Sequence, residues 1–175
     1  QQLARAAASQ LSVDTNTSAW KPDAIRESRR EFWVANTQVN FCAKAFPTVA
    51  AGHPDAPVLT VLAAFLRNGF LHRAIREQGG AYGGGASHDA NIGAFRFFSY
   101  RDPRLKGTLN DFDDAVRWLL NHQHEQLALE EAILGIIGSI DKPGSPAGEA
   151  KKHFHELLFD RTAEHRGAFR QGVIN

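Results

Sequence analysis

An arginine and a tyrosine stand six residues apart at the start of REQGGAYGGGASHD, residues 76–89. Five of the seven positions in GGAYGGG are glycine, so Tyr82 is surrounded by backbone without side chains. Glycine in a strand often marks a place where another chain approaches closely. If an extended peptide added to such a strand edge, Arg76 and Tyr82 would offer a guanidinium and a phenol hydroxyl to its carbonyl groups.

Each of these residues also has a purely structural explanation. An arginine in the last turn of a helix interacts favourably with the helix dipole, which is sufficient reason for Arg76. Tyr82 taken alone could be a packed aromatic residue. The glycines do not indicate a phosphate site, because they follow the C-terminal end of a predicted helix, whereas phosphate binds at helix N-termini.

The histidines and the cysteine of this sequence give little indication of a metal site or a reactive thiol. The pairs His122/His124 and His153/His155 are each two residues apart, which on a helix directs the side chains about 200° apart. Neither HExxH nor HxxEH occurs, so we expect no metal ligands in this chain and histidines on the surface. The single cysteine, Cys42, lies in a predicted strand and is expected to be a small buried hydrophobic residue.

Composition limits the classes of function. With 175 residues, 43% of them hydrophobic, the chain is long enough for one compact domain. The net charge of +1 and the scattered basic residues predict no nucleic-acid partner. No continuous apolar run reaches the length of a membrane span, so no membrane partner is expected. The absence of methionine and the start QQLARAAASQLS indicate a piece of a longer protein.

Local patterns predict the N-terminal elements. Residues 1–12 resemble a short helix, and residues 13–24 a loop or linker. A strand is predicted over 32–46, with a buried face and a solvent face. The buried face is Trp33, Ala35, Val39, Phe41, Ala43 and Ala45, and the solvent face is Asn36, Gln38, Asn40 and Lys44.

The remaining elements follow from helical spacing and turn residues. A helix is predicted over 58–78, ending at Gly79 as its C′ residue, followed by a hairpin of residues 81–90 with a strand over 91–101. Three helices come next, one opened by a Thr108/Asp111 capping box, one over 125–140 and one opened by Ser145 and Pro146. A short helix starts at Thr162. Grouped helices after hairpin-linked strands predict an α+β fold, an antiparallel-rich mixed sheet with helices packed on one face.

The segment FLRNGFLHRAIREQGGAYGGGASHDANIGAFRFFSYRDPRL, together with SIDKPGSPAGEAKKHF, resembles the insulinase/pitrilysin-type zinc metallopeptidases. The nearest pattern is the C-terminal half of the presequence-protease subgroup and its bacterial relatives. The resemblance implies an insulinase/mitochondrial-processing-peptidase-like metallohydrolase fold over residues 29–175, truncated at its C-terminal end. Residues 1–28 remain an N-terminal helix and linker. It also implies a cytoplasmic, bacterial protein.

The same resemblance implies roles for particular residues. Two halves close around a chamber, and the N-terminal half binds the zinc cofactor through ligands outside this chain. By motif position, Arg76 and Tyr82 would be the catalytic arginine and tyrosine that bind the substrate backbone near the zinc. Substrate-binding residues would be Gly83, Gly84 and Gly85, which allow close approach, and Asn36, Gln38 and Asn40 on the chamber wall. The expected partners are an unstructured peptide substrate and the N-terminal half of the same protein.

The function that follows is the C-terminal domain of a zinc-dependent endopeptidase that degrades unstructured peptides, with this chain inactive alone. The alternative is a non-catalytic insulinase-fold subunit with a structural or substrate-holding role. A third possibility, a free-standing peptide-binding module, requires the chain to be complete in the cell.

Overall fold

The computed structural model describes residues 5–6, 9–10, 27–159 and 161–175. The predicted linker over 13–24 lies outside these residues, as does most of the predicted helix over 1–12. The chain divides into two units, Gln1–Ala35 and Asn36–Asn175. Within the first unit, residues 28–35 have no regular secondary structure.

The second unit contains three strands and five helices among the described residues. In chain order they are β1 (Asn40–Pro47), α1 (Asp55–Gln78), β2 (Gly83–Asp89), β3 (Ala94–Asp102), α2 (Lys106–Asn121), α3 (Gln126–Ile140), α4 (Pro146–Leu158) and α5 (Ala163–Ile174). The predicted α+β class is confirmed.

The three strands form one antiparallel sheet in the order β1–β3–β2. The predicted hairpin of residues 81–90 with 91–101 is confirmed as the β2–β3 pair. β3 is the central strand of the described sheet, and it carries the buried aromatic residues Phe95 and Phe97. The main core therefore lies between this strand and the helices.

β1 differs from its predicted form in length and in orientation. The strand begins at Asn40, so the prediction of a strand from residue 32 is wrong. The faces are inverted, because Cys42 is 4% exposed whereas Ala43 and Ala45 are exposed. Lys44 lies on the same face as Cys42 and forms an ion pair with Asp113 of α2, which explains how a lysine can face the helices. The prediction that Cys42 is buried is confirmed.

α1 begins at Asp55, three residues before its predicted start. The ring nitrogen Nδ1 of His53 accepts a hydrogen bond from the Asp55 backbone N–H at 3.1 Å, and this contact satisfies a donor of the first turn. Hydrogen bonding is α-helical over Asp55–Leu66 and of the wider π type over Arg67–Gln78. Long π-type segments are rare, and short ones are frequent at functional sites.

By length and composition alone, α1 is long and apolar enough to cross a membrane, which the apolar runs in the sequence did not predict. Core helices of proteins without membrane spans share this length and composition. Leu66, Leu71 and Ile75 are buried in one cluster with Phe97 and Phe112. Packing against the sheet and α2 therefore accounts for the apolar face of α1.

Helices α3 and α5 form a second hydrophobic cluster with the N-terminal half of α1. Its buried members are Val61, Phe65, Ala132 and Val173, from α1, α3 and α5. The predicted start of α4 is confirmed, because the Ser145 hydroxyl accepts the Gly148 N–H at 3.1 Å and Pro146 is the first helical residue.

The predicted capping box at the start of α2 is wrong. The helix begins at Lys106, and Thr108 is its third residue and fully buried. The Thr108 hydroxyl donates to Asp102 Oδ2 at 2.7 Å, while Asp111 accepts from Arg104 at 2.8 Å. Thr108 and Asp111 therefore bind residues at and just after the end of β3. The spacing of the two residues alone cannot distinguish these contacts from a helix cap.

Candidate functional site

The candidate site is built on the turn that joins α1 to β2. The Gly80 N–H donates to the Arg76 carbonyl at 3.0 Å, and the Ala81 N–H donates to the Ile75 carbonyl at 3.1 Å. Gly80 has φ +78°, whereas Gly79 has φ −83°. The left-handed residue after the helix is thus Gly80, and the prediction that Gly79 is the C′ residue is wrong.

Gly79 is required for a different reason, which is close packing. A Cβ atom at this position would collide with the guanidinium of Arg104 and the carbonyl of Ile75. The same Arg104 donates to the Ala74 carbonyl at 3.2 Å and to Asp111 at 2.8 Å. Arg104 therefore ties the C-terminal end of α1 to α2, and it fixes the start of the turn.

Arg76 is exposed at the C-terminal end of α1. Its Nη1 atom lies 3.4 Å from Nε2 of His72, and Nδ1 of His72 lies 3.3 Å from a carboxylate oxygen of Glu77. This contact occupies one edge of a guanidinium that has five N–H donors. The side chain is thus oriented by its own helix and can still bind a further acceptor.

Tyr82 is a surface residue held on two sides. Its side chain is 64% exposed, its ring centroid lies 5.6 Å from that of Tyr100, and the Arg101 guanidinium carbon lies 5.5 Å from the same centroid. The Tyr82 N–H donates to the Arg101 carbonyl at 3.3 Å. The ring is therefore positioned by neighbours without being part of the core.

The strand beside Tyr82 contains a bulge. Cys42 pairs with Ser99 and Asn40 pairs with Asp102, so two residues of β3, Tyr100 and Arg101, oppose one residue of β1. Arg101 has φ 49° and is the one non-glycine residue with positive φ in the described part of the chain. Such a conformation costs a residue with a Cβ atom about 1–2 kcal/mol.

Asp102 fixes the chain immediately after the bulge. It is fully buried, its Oδ1 accepts the Arg104 N–H at 2.8 Å, and its Oδ2 accepts the Thr108 hydroxyl at 2.7 Å. Its carbonyl accepts the Asn40 side-chain amide at 3.1 Å. These bonds to β1, to α2 and to the loop between β3 and α2 hold the end of β3, and with it Arg101, in place.

The glycines of β2 allow close contacts that the chain makes with itself. A Cβ atom on Gly83 would lie 2.5–2.7 Å from the Tyr100 side chain, and one on Gly84 would lie 2.8 Å from Ile75 and from the Phe98 carbonyl. One on Gly85 would lie 3.0 Å from Arg67. Contact of these three glycines with a substrate stays a prediction. The structure gives another reason for glycine at these positions, because a Cβ atom would collide with neighbouring residues of the same chain.

The three predicted wall residues, Asn36, Gln38 and Asn40, do not share one strand face. Asn36 and Gln38 are exposed and precede β1, so the solvent-facing strand on which they were placed does not exist. The amide of Asn40 is used by the Asp102 carbonyl. Contact between these residues and a peptide remains a prediction. The shared strand face from which it was argued is not present.

Two structural features of the candidate site have no signal in the local sequence. The Arg101 contact with Tyr82 and the Asp102–Arg104 network depend on tertiary pairing, although Arg101, Asp102 and Arg104 lie in the run SYRDPRL, which is part of the family resemblance. A non-glycine residue in a left-handed conformation has no sequence signal of its own.

Histidine, cysteine, aspartate and glutamate side chains are the groups of this chain that could bind a metal ion. Among the residues that the structure describes, no group of three or more histidine, cysteine, aspartate or glutamate side chains could hold a metal ion. The described side chains therefore do not fit a zinc site.

Comparisons with known proteins identify the family. Residues 30–175 match the family model described as PreP C-terminal domain. The chain is 40% identical over 130 residues to a mitochondrial presequence protease of Kluyveromyces lactis, covering 74% of this chain and 13% of that protein. It is 39% identical over 145 residues to the Drosophila melanogaster protein of the same name, covering 82% and 14%. For the Mus musculus protein the identity is 37% over 136 residues, covering 78% and 13%.

These relatives correct one expectation and limit others. A bacterial, cytoplasmic location was expected, and this is wrong, because the relatives are mitochondrial proteins of eukaryotes and point to a mitochondrial location. The matched region spans only 13–14% of the length of these three relatives. The match to the family model, by contrast, extends over both sides of the site, from before β1 to the end of α5. The chain belongs to the PreP C-terminal domain family.

Proposed function

We propose that this chain is the substrate-contacting C-terminal domain of a zinc-dependent endopeptidase that degrades unstructured peptides. The main support is the position of two exposed polar side chains, Arg76 before and Tyr82 after one short turn that is fixed by backbone hydrogen bonds. Relatives named presequence protease support peptidase activity in a longer protein. The zinc and its ligands are implied by the family resemblance alone.

Tyr82 would act in the chemical step. Zinc, bound by ligands in the N-terminal half, would supply the activated water molecule. The Tyr82 hydroxyl donates a hydrogen bond to the negative charge that develops on the scissile carbonyl oxygen. Loss of one such donor typically costs about 3 kcal/mol, or roughly 100-fold in rate.

Arg76 would hold the substrate backbone. A guanidinium presents several donors in one plane, so it can grip a carbonyl oxygen in a fixed direction. The contact of Arg76 with His72 restricts the side chain before substrate arrives, which reduces the entropy lost on binding. Both roles use backbone carbonyls, which every peptide carries.

An extended substrate also suits the position of β2. This strand lies at one edge of the described sheet, and it leads directly from the turn that carries Tyr82. Unstructured peptides can add to such an edge through main-chain hydrogen bonds, whereas a folded protein has few free strands to offer. We therefore propose unstructured peptides as the substrate class.

Peptide hydrolysis by the full-length protein tests this function. We expect the zinc-loaded protein to cleave a mixture of unstructured peptides of about 15–30 residues, the length of a signal segment, and to leave a stably folded protein intact. Residues 1–175 alone should cleave neither. A full-length protein that binds these peptides but never cleaves them would contradict the proposal and support the non-catalytic, substrate-holding alternative.

A further inference from the structure

We infer that Arg101 is a positioning residue that holds the Tyr82 ring in the orientation required for reaction. The inference rests on the proposed function of Tyr82 and extends it, because the family resemblance assigns roles only to Arg76 and Tyr82. Arg101 was not among the residues that the sequence pattern selected. Its role follows from the geometry of the β3 bulge.

Arg101 contacts Tyr82 with both its backbone and its side chain. The Arg101 carbonyl accepts the Tyr82 N–H at 3.3 Å, and the guanidinium carbon lies 5.5 Å from the centre of the Tyr82 ring. A cation at this distance from an aromatic face is attracted to the ring. Tyr100 lies on the same ring at 5.6 Å, so the phenol is flanked by an aromatic ring and a cation.

The conformation of Arg101 is the second observation. A glycine would adopt φ 49° readily, yet this position carries a large side chain in the left-handed region. Strained residues persist where the surrounding structure fixes them, and they cluster at functional sites. Here the buried Asp102, bonded to Thr108 and to the Arg104 N–H, fixes the chain next to the bulge.

Tyr82 needs such support because its own contacts are few. The residue is 64% exposed and lies between Ala81 and a run of three glycines, where the backbone has wide conformational freedom. A donor stabilises developing charge efficiently only when it is already oriented toward that charge. The guanidinium of Arg101 restricts the ring without covering it.

A double-mutant cycle in the full-length protein tests the inference. Arg101→Gly removes the guanidinium and relieves the strained φ, so we expect kcat to fall about threefold or more while Tm stays constant or rises. Arg101→Lys keeps a cation and should recover part of the loss. In a Tyr82→Phe background, where the hydroxyl is already missing, Arg101→Gly should have little further effect.

Arg96→Ala serves as the matched control. Arg96 is an exposed arginine on the same strand, paired with Asp89 at 3.4 Å, and its loss should leave kcat unchanged. Full activity of Arg101→Gly would overturn the inference. An equal loss of kcat in the Tyr82→Phe background would also overturn it, because Arg101 would then act independently of the hydroxyl, for example on the substrate itself. A fall in Tm that parallels the loss of activity would assign Arg101 to folding instead.

A structural measurement separates this inference from the proposed function. In a crystal structure of the full-length Arg101→Gly protein, we expect the Tyr82 ring to leave its place beside Tyr100 or to lose its electron density. If the wild-type protein cleaves no peptide, the proposed function fails, and this measurement still decides whether Arg101 positions the ring. An unmoved, ordered Tyr82 ring in the variant would overturn the inference.

Discussion

Tyr82 and Arg76 are held by different kinds of contact. Tyr82 lies between Tyr100 and Arg101, which come from the neighbouring strand, whereas the side chain of Arg76 is held by His72 of its own helix. The position of Tyr82 thus depends on the pairing of β2 with β3, while that of Arg76 depends on the last turns of α1. Substitutions at the two residues can therefore be interpreted separately.

Replacing Arg76 by lysine separates a substrate-binding role from a helix-dipole role. Lysine keeps the charge at the helix C-terminus, so stability should change by less than about 0.5 kcal/mol. Lysine lacks the planar fork, so kcat/KM of the full-length protein should fall by about tenfold or more. Peptidase kinetics and thermal unfolding on one preparation measure both quantities.

Arg73→Lys is the control for this change, since Arg73 is an exposed arginine on the same helix. It should keep full activity and stability. Full activity of Arg76→Lys would leave Arg76 as a helix-end cation only. A large loss of stability in parallel with activity would show that Arg76 is required for folding.

The elements show where local sequence patterns are sufficient. The Ser145–Pro146 start of α4 and the β2–β3 hairpin were predicted from adjacent residues and are present. The predicted face of β1 is wrong because alanine is small enough for either face and a charged residue such as Lys44 is expected to face solvent. The ion pair of Lys44 with Asp113 joins residues 69 positions apart, and nothing near Lys44 in the sequence indicates it.

One contact between helices gives a prediction on pH. Arg170 of α5 donates to both carboxylate oxygens of Asp141, at 2.7–3.1 Å, just after the end of α3. Hydrogen bonds from Arg170 lower the pKa of the Asp141 carboxyl from its ordinary value of 3.8. The stabilisation is therefore fully present above pH 3.8 and is lost as the pH falls through the lower, folded-state pKa.

Asp141→Asn should accordingly lower the denaturation midpoint slightly at neutral pH, with a difference from wild type that shrinks below pH 3.8. The pair is exposed, so the effect is small. Arg170→Gln should give the same loss, and the double variant should add little to it. A difference between wild type and Asp141→Asn that stays constant as pH falls would contradict this account of the pair.

The candidate site as a unit combines what the sequence predicts with what it cannot. The sequence shows Arg76 and Tyr82 on either side of two glycines, and in the structure one residue precedes and the other follows a single turn. The supporting residues Arg101 and Asp102 could not be predicted from the sequence, because their role depends on a bulge in β3 opposite β1. Asn40 and Asp102, the paired residues at one end of that bulge, are 62 positions apart in the sequence.

The hydroxyl of Tyr82 offers the most direct test of the proposed function. Tyr82→Phe removes one oxygen atom and retains the ring contacts with Tyr100 and Arg101. In the full-length protein we predict that kcat for an unstructured peptide falls about 100-fold or more while KM changes little, because the hydroxyl binds charge that exists only in the transition state. Tyr100→Phe, which removes the hydroxyl of the adjacent ring, should cause a much smaller loss. An unchanged kcat for Tyr82→Phe would contradict the account, and Tyr82 would then be a surface aromatic with no part in the reaction.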